Sequence, residues 1–172
     1  KAVDAIEMHT DLKLEPMLEY ADYFSDEPGG SSHGRSVEPS PFDLNQLGDD
    51  KDKVMAGSMS APIPMPITGG DFKWMNLMMK RPGKAFPKIA KRMFQGIGGM
   101  ALGKDYTASG KALAAALLAG ARKAGVELWN STPLADLVIE DGKAVGVIVE
   151  RNGETLRINA RRGIILAAGG FD

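Results

Sequence analysis

Three tyrosines, two histidines and several glycine motifs are the residues of this chain whose types could do chemistry. Tyr20 and Tyr23 flank Ala21-Asp22 just ahead of a glycine-rich stretch. A phenol both donates and accepts, with an ordinary pKa of about 10, so Tyr23 is a candidate to enter a site as a hydrogen-bond donor. Spacing alone favours packing for both rings, each hydroxyl finding a surface partner. Gly30-Ser31-Ser32-His33-Gly34 fits G-x-S-x-G, but a nucleophile elbow needs a strand-to-helix turn. This segment lies between Pro28-Gly29 and Pro39, so it is expected to be a loop. Gly96-Ile97-Gly98-Gly99-Met100-Ala101 fits G-x-G-x-x-A, whose phosphate-binding form follows a strand and opens a helix. The residues ahead of it, 88–95, read as helix instead, and the glycines are again expected in a loop. With no cysteine and only His9 and His33, no metal site is expected. Gly169-Gly170 follows Ile164-Ile165-Leu166-Ala167-Ala168, a run apolar on both faces, as a central strand of a parallel sheet requires. Ligands of open α/β sheets sit beyond the carboxyl ends of such strands, where glycine lets the backbone come close.

The elements that would hold these residues fall into an irregular half and a regular one. A short helix with Ala2, Val3 and Ile6 leads into extended chain around Leu14-Glu15-Pro16. From Pro28 to about Asp52 turn formers dominate, and a long irregular stretch of this kind is usually functional. Residues 72–79 read as a helix ended by Pro82-Gly83, and Pro87 is placed to open another through about Gln95. Met75, Met78 and Met79 would fill an irregular core or line an apolar pocket. Farther on, Ser109 is a candidate cap for a helix over 110–124 with a stripe of Leu113, Leu117, Leu118 and Ala121. Gly125 suits its C′ position. A strand at 126–129 is followed by three more at 137–140, 144–150 and 155–160. Asp141-Gly142 and Asn152-Gly153 join these as type I′ turns.

Composition narrows the classes. Lys plus Arg number 21 against 22 Asp plus Glu, and no basic run or basic amphipathic helix is evident, so neither nucleic acid nor an anionic membrane is an expected partner. No apolar run approaches ~20 residues and no signal-peptide pattern opens the chain, which fits a cytoplasmic protein. The chain starts inside what reads as a helix and stops just after an apolar strand, as an internal fragment would.

The order of Leu113 and Leu117, Val126-Glu127-Leu128, Thr132-Pro133-Leu134, Asp141-Gly142, Val145-Gly146-Val147 and Leu166-Ala167-Ala168-Gly169-Gly170-Phe171 resembles the FAD-binding domain of flavoproteins related to fumarate reductase. Upstream, Tyr20-Ala21-Asp22-Tyr23, Gly34-Arg35-Ser36-Val37-Glu38-Pro39, Gly70-Asp71-Phe72-Lys73-Trp74-Met75-Asn76-Leu77 and Tyr106-Thr107 look like the 3-ketosteroid Δ1-dehydrogenases within that group. The resemblance spans nearly the whole chain.

It implies an α/β fold with α+β character: part of a Rossmann-like FAD-binding domain, with an antiparallel three-stranded meander and a helical, loop-rich N-terminal half. Residues 1–108 would be the part near the steroid site. Residues 109–172 would hold the helix, the meander and a final parallel strand. The implied activity is introduction of a C1–C2 double bond into a 3-ketosteroid, with FAD as hydride acceptor and an external electron acceptor to reoxidise it. Tyr23 would support a tyrosine base and Tyr20 would be a pocket wall. Leu134, Ala168, Gly169 and Gly170 would lie against the dinucleotide. The pyrophosphate-binding G-x-G-x-x-G, the base and the substrate domain lie outside the stretch that this chain resembles, so alone it is expected to be inactive and not to retain FAD. A relative acting on another enone or a dicarboxylate is the alternative enzyme, although two histidines are few for binding carboxylates. A non-catalytic interaction module is the alternative outside enzymes.

Overall fold

The computed structural model describes residues 1–18, 20–55 and 64–169. The chain divides into two compact units, Lys1–Val126 and Glu127–Asp172.

In the first unit, helix α1 (Ala2–His9) leads to strand β1 (Leu14–Pro16), which pairs antiparallel with β2 (Val37–Pro39). Strand β3 (Phe42–Asp43) pairs with β4 (Tyr106–Thr107). Between β3 and the later helices runs a 3₁₀ segment, Leu44–Lys53, kinked at Gly48. Asp43 accepts the N–H groups of Asn45 and Asp105, tying that segment to the approach of β4. Part of the stretch expected to be irregular is therefore ordered by short strands that pair with chain far away in sequence.

Helix α4 (Ser109–Lys123) carries the core of this unit. Its buried face is Ala112, Ala115, Ala116 and Ala119, packed with Leu12, Phe42, Leu44 and Leu47. The leucines expected to form the stripe lie at its edges: Leu113 and Leu118 are partly buried, and Leu117 is exposed. Small side chains let the facing strand and 3₁₀ backbone close in, and they win the central positions because interiors pack to crystal-like density. Ser109 is not the cap. Ala108 holds that position, while the Ser109 hydroxyl donates to the Ile67 carbonyl at 3.3 Å. Gly125 adopts φ +79°, as a C′ residue should. The compact division follows Val126 and not Ala108, because α4 packs with the strands before it.

Helix α2 (Gly69–Asn76) starts and stops earlier than its apolar run suggested, and α3 (Pro82–Ala101) is one continuous helix. Pro82 sits in its first turn. Pro87, which the sequence reading used to divide the segment, is accommodated inside it. The G-x-G-x-x-A glycines are thus helical and not in a loop. A Cβ on Gly96 would lie 1.5 Å from the Pro64 carbonyl oxygen, and one on Gly99 would lie 2.7 Å from the Tyr106 ring. These glycines admit neighbouring chain, not phosphate. Joining the two halves also makes α3 a basic amphipathic helix, which the interrupted pattern had concealed.

The second unit is a meander of β5 (Leu134–Glu140), β6 (Lys143–Arg151) and β7 (Glu154–Asn159). Both turns have positive φ at their two central residues, Asp141-Gly142 and Asn152-Gly153, as type I′ geometry demands. Two expected strands do not form. Residues 126–129 are irregular; Trp129 stacks under the Arg151 guanidinium at 3.8 Å and donates to Glu127. Residues 164–168 are also outside any strand, with Ile165 93% exposed. An apolar run becomes a strand only when a neighbouring strand takes its N–H and C=O groups, and among the described residues neither run pairs with one.

Candidate functional site

A cavity of about 590 Å³ opens in the first unit between β1, the turn after it, Glu38 of β2, the start of α2 and one side of α3. Its wall is built around the α2 N-terminus. Glu38 accepts from the Gly70 N–H at 2.9 Å and from the Thr68 hydroxyl at 3.0 Å. A carboxylate there meets unpaired amides and the positive end of the helix dipole. Asp71 accepts the Thr68 N–H at 2.9 Å and the Arg92 Nε at 2.6 Å, and Arg92 also donates to Gln95. The Thr68 hydroxyl lies 3.0 Å from Asp71 as well, so one proton serves two carboxylates. Thr68 and Arg92 are both buried. This network locks β2, α2 and α3 into one wall, on which Trp74 and Met17 supply apolar surface and Lys88 and Lys91 supply positive charge. Lys88 sits 5.0 Å from the Trp74 ring centre.

Tyr20 lines this cavity, whereas Tyr23 is 91% exposed. The turn carrying both is held by Asp22, whose carboxylate accepts from the Ser31 N–H at 3.0 Å and pairs with Arg35. The Asp22 N–H in turn donates to the Ser31 carbonyl. Arg35, by its hydrogen bond first, holds the Asp22 carboxyl below the usual carboxylate range against the opposing cost of desolvation. The two phenols meet: a hydrogen bond with Tyr23, then charge repulsion from it, raises the Tyr20 pKa above the ordinary tyrosine value. Ser32 contacts the Nδ1 of its neighbour His33 at 3.1 Å on an exposed turn that no strand enters and no helix leaves. It is no nucleophile elbow.

The remaining site residues lie in the second unit. Leu134 opens β5 opposite Val149, half exposed, and the ladder skips Ala135 next to it. Ala168 and Gly169 are exposed on irregular chain, and Gly169 has φ +87° with no atom within 4 Å of where a Cβ would stand. Gly170 lies outside the described residues. Leu134 offers an apolar edge, and Ala168 and Gly169 offer open backbone. They bring no cationic cradle for phosphates. Sequence reasoning singled out neither the Asp22–Arg35 latch nor the Glu38–Thr68–Asp71–Arg92 network as functional. The one sequence signal for the latter was T-x-x-D ahead of an apolar run, a capping-box pattern. Among the described residues no cluster of His, Cys, Asp or Glu could hold a metal ion, and no helix is long and apolar enough to cross a membrane.

Mixed helices and antiparallel sheets match what a fragment of an α/β FAD-binding domain contains. The chain belongs to the FAD binding domain family, whose model matches residues 2–172. It is 36% identical to a 3-oxosteroid 1-dehydrogenase of Mycolicibacterium smegmatis, over 95% of this chain and 30% of the relative. It is 35% identical to a Comamonas testosteroni protein of the same name, over 94% and 29%. A 4-oxocyclohex-2-ene-1-carboxylate 5-dehydrogenase of Sinomonas cyclohexanicum is 31% identical, over 99% and 30%. A crystal structure of 3-ketosteroid delta1-dehydrogenase from Sterolibacterium denitrificans, in complex with 1,4-androstadiene-3,17-dione, superposes with a TM-score of 0.79 at 29% identity, covering 98% of this chain and 32% of that one. The chain thus spans about 30% of the curated relatives it matches.

Proposed function

We propose that this chain is part of an FAD-dependent dehydrogenase that introduces a C1–C2 double bond into 3-ketosteroids. The observation that carries the proposal is likeness to 3-oxosteroid 1-dehydrogenases along almost the whole chain, at 36% identity over 169 residues. In this reading FAD, when bound, supplies the acceptor for the hydride leaving C1, and an external acceptor reoxidises it. The chain's own residues bind and orient. Leu134, Ala168, Gly169 and Gly170 lie against the dinucleotide with backbone and apolar contacts. Tyr20, protonated, forms part of the substrate wall with Met17 and Trp74. Tyr23 donates to the tyrosine base that removes the C2 proton and so stabilises its phenolate. That base is contributed by sequence outside this chain, as is the donor that polarises the C3 carbonyl, which makes the proton at C2 acidic.

The specific alternative is a smaller oxo-acid substrate, favoured by Lys88 and Lys91 on the cavity wall and by the name of the Sinomonas relative. The test is product analysis with the intact protein, an artificial electron acceptor, and either androst-4-ene-3,17-dione or 4-oxocyclohex-2-ene-1-carboxylate. Formation of the steroid 1,4-diene is expected; turnover of the acid alone would transfer the assignment to the alternative.

A further inference from the structure

Residues 17–36 leave and return through neighbouring strands, since Pro16 of β1 pairs with Val37 of β2. No described side chain between them is buried, and Leu18, Tyr23 and Phe24 are largely exposed. Apolar packing therefore does not set the shape of this excursion; hydrogen bonds and close backbone passages do. At its base the Met17 N–H donates to the Ser36 carbonyl and the Gly34 N–H to that of Leu18. Gly34 is needed there, because a Cβ would lie 1.7 Å from the Met17 carbonyl oxygen. Farther along, Asp22 and Ser31 are joined twice. The Asp22 N–H donates to the Ser31 carbonyl at 2.9 Å, and the Asp22 carboxylate accepts the Ser31 N–H at 3.0 Å. The same carboxylate oxygen pairs with the Arg35 guanidinium. Tyr23 follows Asp22 directly in the chain. We infer that Asp22 and Arg35 are positioning residues, whose latch fixes where the Tyr23 hydroxyl stands and thereby sets the rate of proton removal.

This rests on the reading above that Tyr23 supports the base taking the C2 proton, and adds the groups that hold Tyr23 in place. A phenol carried on chain without buried neighbours has no packing to select its position. Misplacing a catalytic group by an ångström costs about 100-fold in rate, so something else must hold the backbone on either side of it. Asp22 does so from the adjoining residue, through both its amide and its carboxylate. The Arg35 side chain is 63% exposed, and an ion pair so placed contributes little to global stability. None of the described residues 17–36 belongs to the core of Leu12, Phe42, Leu44, Leu47 and the α4 alanines. Breaking the latch therefore frees the segment that carries Tyr23 and leaves the fold in place, which separates an effect on rate from one on stability.

The test is steady-state kinetics of the intact protein on androst-4-ene-3,17-dione, with Arg35→Gln, Arg35→Lys, Tyr23→Phe, and Arg35→Gln combined with Tyr23→Phe. Arg35→Gln should lower kcat by roughly 10- to 100-fold, with KM, flavin content and Tm little changed. Arg35→Lys keeps the cation and should recover most of that rate. In the Tyr23→Phe background Arg35→Gln should cost less than about twofold more, because the group that it misplaces is already gone. Equal losses in the two backgrounds would overturn the inference, since the latch would then act elsewhere. So would unaltered kcat in Arg35→Gln beside a slow Tyr23→Phe, a result that leaves the role of Tyr23 standing. Unaltered kcat in Tyr23→Phe would instead remove the role of Tyr23, and that of the latch with it. Hydrogen exchange gives a readout that needs no variant to fold: the Asp22 and Ser31 amides of the unaltered protein should be protected. Exchange of both at the rate of free chain would mean that the segment is not latched, and would also overturn the inference.

Discussion

Asp71 and Arg92 show what a single residue does for this site. Arg92 is buried and its Nε meets Asp71 at 2.6 Å. Removing the carboxylate leaves a charge without its partner, a change that costs about 3–5 kcal/mol. Asp71→Ala should destabilise the protein by about that much in urea unfolding, and adding Arg92→Met should recover part of the loss. Equal stability of the two variants would mean that the pair is not what holds the wall. At Tyr23 the expectation concerns rate. If its hydroxyl supports the base, Tyr23→Phe in the intact protein should lower kcat by about 10- to 1000-fold with little change in KM, since the bond matters mainly as the proton moves. Tyr20→Phe should alter kcat much less, because its proposed part is a wall. Similar small effects for both, seen as Tm and not rate, would support simple packing. The tyrosine pair could be picked out from residue type and proximity. The latch and the carboxylate network could not, because Asp22 meets Arg35, and Glu38 meets Thr68, only once the chain has folded back on itself.

At the level of elements, local chemistry was the legible part. Asp-Gly and Asn-Gly specify their own turn, so the meander could be placed from sequence. Segments whose state depends on a distant neighbour could not. The apolar runs at 126–129 and 164–168 have strand composition but gain no strand partner, and β2, β3 and β4 have little composition of their own but gain one. Helix α3 was misdivided because Pro87 outweighed the continuing periodicity. Its glycines offer a direct contrast. Gly98→Ala meets no atom within 4 Å and should stabilise by about 0.4–1 kcal/mol through lost unfolded-state freedom. Gly96→Ala drives a methyl into the Pro64 carbonyl and should cost about 1–3 kcal/mol. Denaturant midpoints measure both. Two stabilising substitutions would remove the close approach that explains the motif.

At the scale of the whole molecule, the chain is two compact units within one family domain and spans about 30% of its curated relatives. Among the described residues no strand runs through a glycine-rich turn into a helix, the arrangement that cradles a pyrophosphate. The 172-residue chain produced alone should therefore fail to retain FAD through gel filtration. Yellow protein with near one flavin per chain would contradict that. The central claim, that the intact protein oxidises a 3-ketosteroid with its flavin, is tested most directly under anaerobic conditions without an added acceptor. On adding androst-4-ene-3,17-dione, the flavin's visible absorbance should bleach as an equal amount of 1,4-diene forms. Flavin that stays oxidised with the steroid but bleaches with 4-oxocyclohex-2-ene-1-carboxylate would contradict the account.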